Sequence, residues 1–209
     1  MRGLWFMIIM AAAYLIGSIS TAIIAGKIIA GDDIRTHGSG NAGATNALRT
    51  YGKKAALLVV LGDGMKAVFA ILIGMLIAYL SPLSEDQRDL AVYAAGIGVV
   101  LGHNFPLYFH FHGGKGVLVS AVAILFADWK IGLAVLIFAI LVMAVTRYVS
   151  LGSILGGAAL LAMALIFRFG DWWYIGFSAV LAALVIVMHH ANIGRLLAGT
   201  ESKLGQKKR

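Results

Sequence analysis

The chain has 209 residues, of which 61% are hydrophobic and 12% charged, with mean hydropathy +0.92 and net charge +8. A water-soluble domain is typically about 45–50% apolar and about 25% charged. The composition therefore excludes one and points to an integral membrane protein with several spans and no room for a separate soluble domain. Cysteine is absent, which removes disulfides and thiol chemistry.

A helix needs roughly 20 apolar residues to cross a bilayer, within a range of about 17–25. Seven stretches qualify as candidates. The first, 5–29, lacks a small-residue cleavage site before a soluble body and reads as a retained span. The second, 55–80, is interrupted by Asp63 and Lys66. The third is 90–108. The fourth, 116–127, is short, begins in a Gly-rich turn and suits a tilted or re-entrant segment as well as a span. The last three are 131–145, 151–167 and 172–189. The expected fold is all-α: a polytopic membrane protein of seven transmembrane helices forming one domain over 1–209.

Seven spans put the termini on opposite sides. With the N-terminus outside, the inner segments hold Lys27, Arg35, Arg49, Lys53, Lys54, Lys115, Arg147, Arg195, Lys203, Lys207, Lys208 and Arg209, against Arg2, Arg88, Lys130 and Arg168 outside. The excess of Lys and Arg on cytoplasmic loops selects this orientation, with a cytoplasmic C-terminus. Trp129, Trp172 and Trp173 then lie where an outer aromatic belt belongs. The polar Gly-rich loops all fall on the cytoplasmic side, which suits a site for a water-soluble anion.

Four motifs carry the chemistry. In RTHGSGNAGATNALR (35–49), glycines allow backbone N–H groups to approach an anion. Ser39, Asn41, Thr45 and Asn46 add short polar arms, and Arg49 adds a planar fork suited to phosphate. In GHNFP (102–106) followed by HGGKG (112–116), Gly113, Gly114, Lys115 and Gly116 precede an apolar helix, a combination suited to phosphate. The spacing is not that of a Walker A loop. In RYVSLGS (147–153), Ser153 opens an apolar helix as a cap or a ligand arm. In HHANIGR (189–195), a continuing helix would align His189, Asn192 and Arg195 on one stripe, either as a phosphorylated-polyol site or as an interfacial cap. Glu201 is placed to tie a loop arginine. Asp63 and Lys66, three residues apart within a span, read first as an internal ion pair; the alternative turns Lys66 toward the anion.

The inventory also excludes chemistries. No GxSxG or HExxH motif occurs, inner acids are few, and the last span has no Lys for a Schiff base. No metal or cofactor is called for, and no nucleic-acid partner is expected.

Together, GSGNAGATNALR (38–49), GDGMKA (62–67), GHNFP with GGKG (102–116), SLGS (150–153) and HHANIGRL with GTE (189–201) resemble the bacterial acyl-phosphate-dependent glycerol-3-phosphate acyltransferases, the PlsY family, over nearly the full length. Where the family motif continues with Gly or Ala and then Thr after its Lys, Gly116-Val117 follow here. The resemblance implies transfer of a fatty acyl group from acyl phosphate to the 1-hydroxyl of glycerol 3-phosphate, giving lysophosphatidate at the bacterial inner membrane. It implies catalytic roles for His189, Lys115, Ser39 and Arg49. Substrate-binding roles fall to Asn41, Asn46, Gly113, Gly114, Gly116, Ser153, Asn192 and Arg195, joined by Thr45 on its own chemistry, and a structural role to Glu201, beside the structural reading of Asp63 and Lys66 as an ion pair. Membrane lipid and the soluble enzyme that makes acyl phosphate are the implied partners. The rival reading is a membrane carrier or channel for phosphorylated metabolites. Transporters place such sites near the midplane between repeated halves, and no half-to-half repeat is evident here.

Overall fold

The computed structural model describes residues 2–205, and among them there are helices and turns but no strand. Lys207, Lys208 and Arg209, counted on the inner side above, lie outside the described residues. The chain divides into two compact units, 1–126 and 127–209.

Unit 1 contains α1 (Arg2–Gly17), α2 (Thr21–Ala30), α3 (Ala44–Thr50), α4 (Lys53–Leu80) and α5 (Glu85–Asn104). Helix α6 (Val117–Ala127) begins in it. The expected first span is two helices. Ser18–Ser20 break it: the Ser18 hydroxyl donates to the Tyr14 carbonyl and accepts from the Leu107 N–H, and Ser20 caps α2. Helices α1 and α5 pack at backbone contact. A Cβ added at Gly98 would strike the Met10 carbonyl, and one at Gly102 the Tyr14 carbonyl, so this Gly-x-x-x-Gly pair is what permits the approach.

Helix α4 has its chemistry inside out relative to a helix in water. Leu57, Leu61, Met65, Phe69, Leu72 and Leu76 face outward, while Asp63 and Lys66 are buried with Ala67, Ala70 and Gly74. A bilayer rewards this pattern, since lipid accepts the apolar stripe and charges must pair inside the protein.

Unit 2 contains α7 (Trp129–Thr146), α8 (Val149–Phe167), α9 (Trp172–Met188) and α10 (His190–Leu197). Helices α7 and α8 pack as one antiparallel pair and α8 and α9 as the next. At one end Arg168 bridges Asp128 and Asp171, at 3.1 and 2.6 Å. Trp129, Trp172 and Trp173 are exposed at that same end.

Among the described residues, five helices or helix pairs are long and apolar enough to cross a membrane, and a sixth crossing exists if α9 and α10, bent by 58°, form one span. The 11 residues of α6 make a helix of about 16 Å, roughly half a hydrocarbon core. The fourth candidate is therefore too short to cross as one straight helix.

Candidate active site

Unit 1 gathers its polar groups in two segments, 31–51 and 103–116. The first is half helix where a loop was expected: a 3₁₀ turn at Ile34–Thr36, irregular backbone to Gly43, then α3. Asp33 caps the turn by accepting from the Arg35 N–H, and its carboxylate receives the Arg35 fork at 2.7–3.1 Å. The remaining arm of the guanidinium, Nη1, donates to the carbonyls of Phe109 and His112, at 2.8 and 2.9 Å. Arg35 thereby fastens the first segment to the second.

Asp32 accepts from the Tyr51 hydroxyl at 2.5 Å and pairs with His37 Nε2 at 2.6 Å. These bonds, Tyr51's first, hold the Asp32 carboxyl below the usual range. The same carboxylate pushes the Tyr51 phenol up to about 12. The Arg35 fork lowers Asp33 in the same way.

Asn46, expected to reach a ligand, is buried and engaged within the loop. Its Nδ2 donates to the carbonyls of Ile34 and His37, and its Oδ1 accepts the Ser39 N–H at 2.9 Å. Both amide protons are used, so it shapes the loop that presents its neighbours. Of those neighbours, Ser39 and Arg49 are exposed and Asn41 and Thr45 half-buried. Thr45 and Arg49 are four apart on α3 and share a face.

The Gly113–Gly116 stretch folds back on the end of α5. The Gly113 N–H donates to the Asn104 carbonyl and the Gly114 N–H to the His103 carbonyl. These two amides close orphan carbonyls of a helix terminus and are not the anion donors their sequence suggested. A Cβ at Gly114 would strike the His103 ring, and one at Gly116 would crowd the Asn104 amide. Lys115, half-buried, stands between them.

Asp63 and Lys66 form the expected ion pair, with Lys66 Nζ 2.9 Å from Asp63 Oδ1. The same ammonium donates to the Ile19 carbonyl at 2.7 Å and lies 3.1 Å from His103 Nδ1. Neither of those partners was foreseen.

Unit 2 builds its polar end around Glu201. The carboxylate accepts from Ser150 Oγ (2.8 Å), Asn192 Nδ2 (2.7 Å) and Arg195 Nε (2.7 Å). Burial alone would raise this carboxyl, and the three donors outweigh that and hold it below the usual range. The tail beyond is fixed by paired bonds between Arg147 and Leu204. Glu201 is thus the structural tie expected. Ser150, a buried partner of it, was missed, although it stands three residues before the serine singled out.

Two expectations here are corrected. Helix α8 starts at Val149 with Tyr148 at its cap, so Ser153 sits one turn inside and its hydroxyl donates to the Val149 carbonyl. The helix does not continue through His189, which sits at the bend between α9 and α10, so it shares no straight stripe with Asn192 and Arg195. His189 is buried, with Nδ1 2.7 Å from the Val185 carbonyl. A carbonyl only accepts, so Nδ1 carries a proton, which leaves Nε2 as the acceptor whenever the ring is neutral.

Known proteins resemble this chain in sequence and fold. A family model described as glycerol-3-phosphate acyltransferase matches residues 7–199. The glycerol-3-phosphate acyltransferase of Clostridioides difficile (strain 630) is 48% identical over 204 residues, covering 97% of each chain. That of Thermoanaerobacter sp. (strain X514) is 46% identical over 195 residues, covering 93% of each. Two crystal structures of PlsY (YgiH), an integral membrane glycerol 3-phosphate acyltransferase, also match. Its glycerol 3-phosphate form aligns with TM-score 0.84 at 31% identity over 96% of each chain. Its lysophosphatidic acid form aligns with TM-score 0.79 at 30% identity over 96% of this chain and 95% of that one. Matched by its family over nearly its whole length and by solved structures of an integral membrane relative, the chain belongs to the glycerol-3-phosphate acyltransferase family.

Proposed function

We propose that this protein transfers a fatty acyl group from acyl phosphate to the 1-hydroxyl of glycerol 3-phosphate, giving lysophosphatidate and phosphate. Family membership carries the reading, since the related crystal structures are of glycerol 3-phosphate and lysophosphatidic acid forms, an acceptor and its acylated product. The donor follows from the resemblance in sequence and from the site's inventory, which offers anion-binding groups and no cysteine or serine-elbow nucleophile.

In this reading the glycerol oxygen attacks the acyl carbonyl directly. The new C–O ester bond forms, the bond from the acyl carbon to the bridging phosphate oxygen breaks, and phosphate leaves. The hydroxyl proton passes to His189 Nε2 or to a phosphate oxygen. Acyl phosphate is already activated, so positioning and charge stabilisation supply most of the acceleration. Ser39, Arg49 and Lys115 stabilise the reacting anions. Asn41, Thr45, Gly116, Asn192 and Arg195 help hold the substrates, while Asn46, Gly113, Gly114 and Ser153 shape the surroundings. The whole chain acts as one acyltransferase domain.

The topology belongs to the same proposal. Seven crossings, the fourth completed by the chain on either side of α6, put the N-terminus outside and the polar loops on the cytoplasmic face of a bacterial plasma membrane. The acyl chain then lies in the bilayer, and acyl phosphate arrives at the inner surface from the soluble enzyme that makes it. The absence of cysteine makes the test clean: a single cysteine replacing Lys203 should react with an impermeant thiol reagent only in inverted vesicles. Labelling in right-side-out cells would overturn the orientation.

For the chemistry, acyl phosphate, acyl-CoA and acyl carrier protein are compared as donors. Turnover on acyl phosphate alone is expected. Turnover on a thioester would keep the family and change the donor. A covalently acylated protein, trapped after mixing with acyl phosphate alone, would replace direct attack by a two-step route.

A further inference from the structure

The ion pair Asp63–Lys66 is buried in α4, yet a pair of complementary charges inside a membrane helix needs only its two members. Here the ammonium has further partners from two other elements. It reaches the Ile19 carbonyl, released by the break between α1 and α2, and His103 Nδ1 near the end of α5, at 2.7 and 3.1 Å. Asp63 Oδ1 lies 2.9 Å from Nζ and 3.7 Å from His103 Nδ1. An ammonium has three protons and no lone pair. The ammonium donates to the Ile19 carbonyl and faces the imidazole at hydrogen-bond distance, with the carboxylate beside it as an ion pair, so Nδ1, which meets a group that can only donate, is an acceptor. The proton of the neutral His103 ring is then on Nε2.

That nitrogen lies against Gly114. A Cβ added at Gly114 would strike His103 Nε2 and Cε1, and would lie 2.9 Å from the Ala42 carbonyl. The His103 ring is therefore the seat of the Gly113–Gly116 loop, at the place where it meets the backbone of the first polar segment. Lys66 in α4 thus meets one edge of the His103 ring, and Gly114, in the loop carrying Lys115, meets the other.

We propose that His103 is a positioning residue for the Lys115 loop, with Lys66 fixing its Nε2–H tautomer and Asp63 holding Lys66. This rests on the acyltransferase reading for its kinetic arm but not for its spectroscopic one. If Lys115 meets the donor's phosphate, a misplaced loop weakens donor binding more than it slows turnover.

The tautomer is read first, from the ring nitrogens of the ¹⁵N-histidine-labelled full-length protein in lipid, with the His103 signals identified by their loss in His103→Asn. An acceptor-type Nδ1 and a protonated Nε2 are expected. A protonated Nδ1 would overturn the proposal whatever the protein catalyses. In Asp63→Asn/Lys66→Met, which removes both charges together, the Nδ1 signal should shift because it has lost its donor, and an unchanged Nδ1 shift would overturn the role of Lys66.

His103→Asn then tests the seat, because its amide oxygen still offers Lys66 an acceptor while the ring is gone. The KM for acyl phosphate should rise about tenfold, with kcat changed less than about twofold. His103→Gln, whose amide N–H reaches farther toward Gly114, should recover most of that loss. Equal KM values in wild type and His103→Asn, or a fall confined to kcat, would overturn the proposal. A wild-type protein without acyltransferase activity would instead defeat the underlying reading and leave the tautomer result standing.

Discussion

Arg35 Nη1 donates to the His112 carbonyl at 2.9 Å across 77 positions of sequence, while the rest of its guanidinium grips Asp33. One side chain therefore orders two loops at once. Lysine carries the same charge but is a single point with no fork. Arg35→Lys should lower stability by about 1.5–3 kcal/mol, the usual range for hydrogen bonds to a charged group. It should also expose 109–116 to protease. Thermal unfolding in detergent and limited proteolysis check both, and a wild-type cleavage pattern would show that the clamp does not order the second loop.

Asn46→Ala removes three hydrogen bonds from the interior of the 34–46 loop. It also leaves two carbonyls and one N–H without that partner. A loss of about 2–4 kcal/mol is expected. Asn46→Asp should be at least as harmful, because a carboxylate cannot donate to the Ile34 and His37 carbonyls. Denaturation midpoints for the pair decide it, and an aspartate variant as stable as wild type would refute the assignment.

The Tyr51 phenol, raised to about 12 by the Asp32 carboxylate, gives a pH signature. Its neutral form is the one stabilised by folding. That contribution is present below the ordinary value of 10.0 and disappears as pH rises through about 12. A difference absorbance titration of wild type against Tyr51→Phe should show one phenolate appearing late. In Asp32→Asn it should appear earlier, and an unchanged midpoint would contradict the pairing.

Glu201 gives the opposite sign. Its carboxyl is lowered in the folded protein, so its contribution is present above the ordinary value of 4.5 and is lost as pH falls through the lower folded value. Glu201→Gln removes that acid dependence along with the charge facing Arg195. The variant should be less stable than wild type at pH 7 and converge with it in acid. Parallel stability curves across that range would rule out the tie.

Much of the fold was legible because a bilayer imposes simple rules. Long apolar runs gave α4, α7, α8 and α9 within a few residues at most of their ends, and the Asp63–Lys66 pair followed from the cost of lone charges in lipid. What failed were inferences needing three dimensions. The α1–α2 break depends on Ser18 meeting Leu107, 89 residues away. The Gly113 and Gly114 amides read as anion donors because Gly-rich sequence does not reveal that a helix terminus has already claimed them. The bend at His189 interrupts a run that looks continuous in hydropathy. Arg35, Ser150 and His103 were invisible as positioning groups because each acts on a backbone or a neighbour distant in sequence.

The most direct measurement is lysophosphatidate formation by the purified protein in detergent, with acyl phosphate and glycerol 3-phosphate and no membrane gradient. The account predicts product and phosphate in equal amounts, abolished in Lys115→Ala and Arg49→Ala variants that remain folded. No product from any acyl donor, together with glycerol 3-phosphate uptake by liposomes containing the protein, would contradict it and favour a carrier.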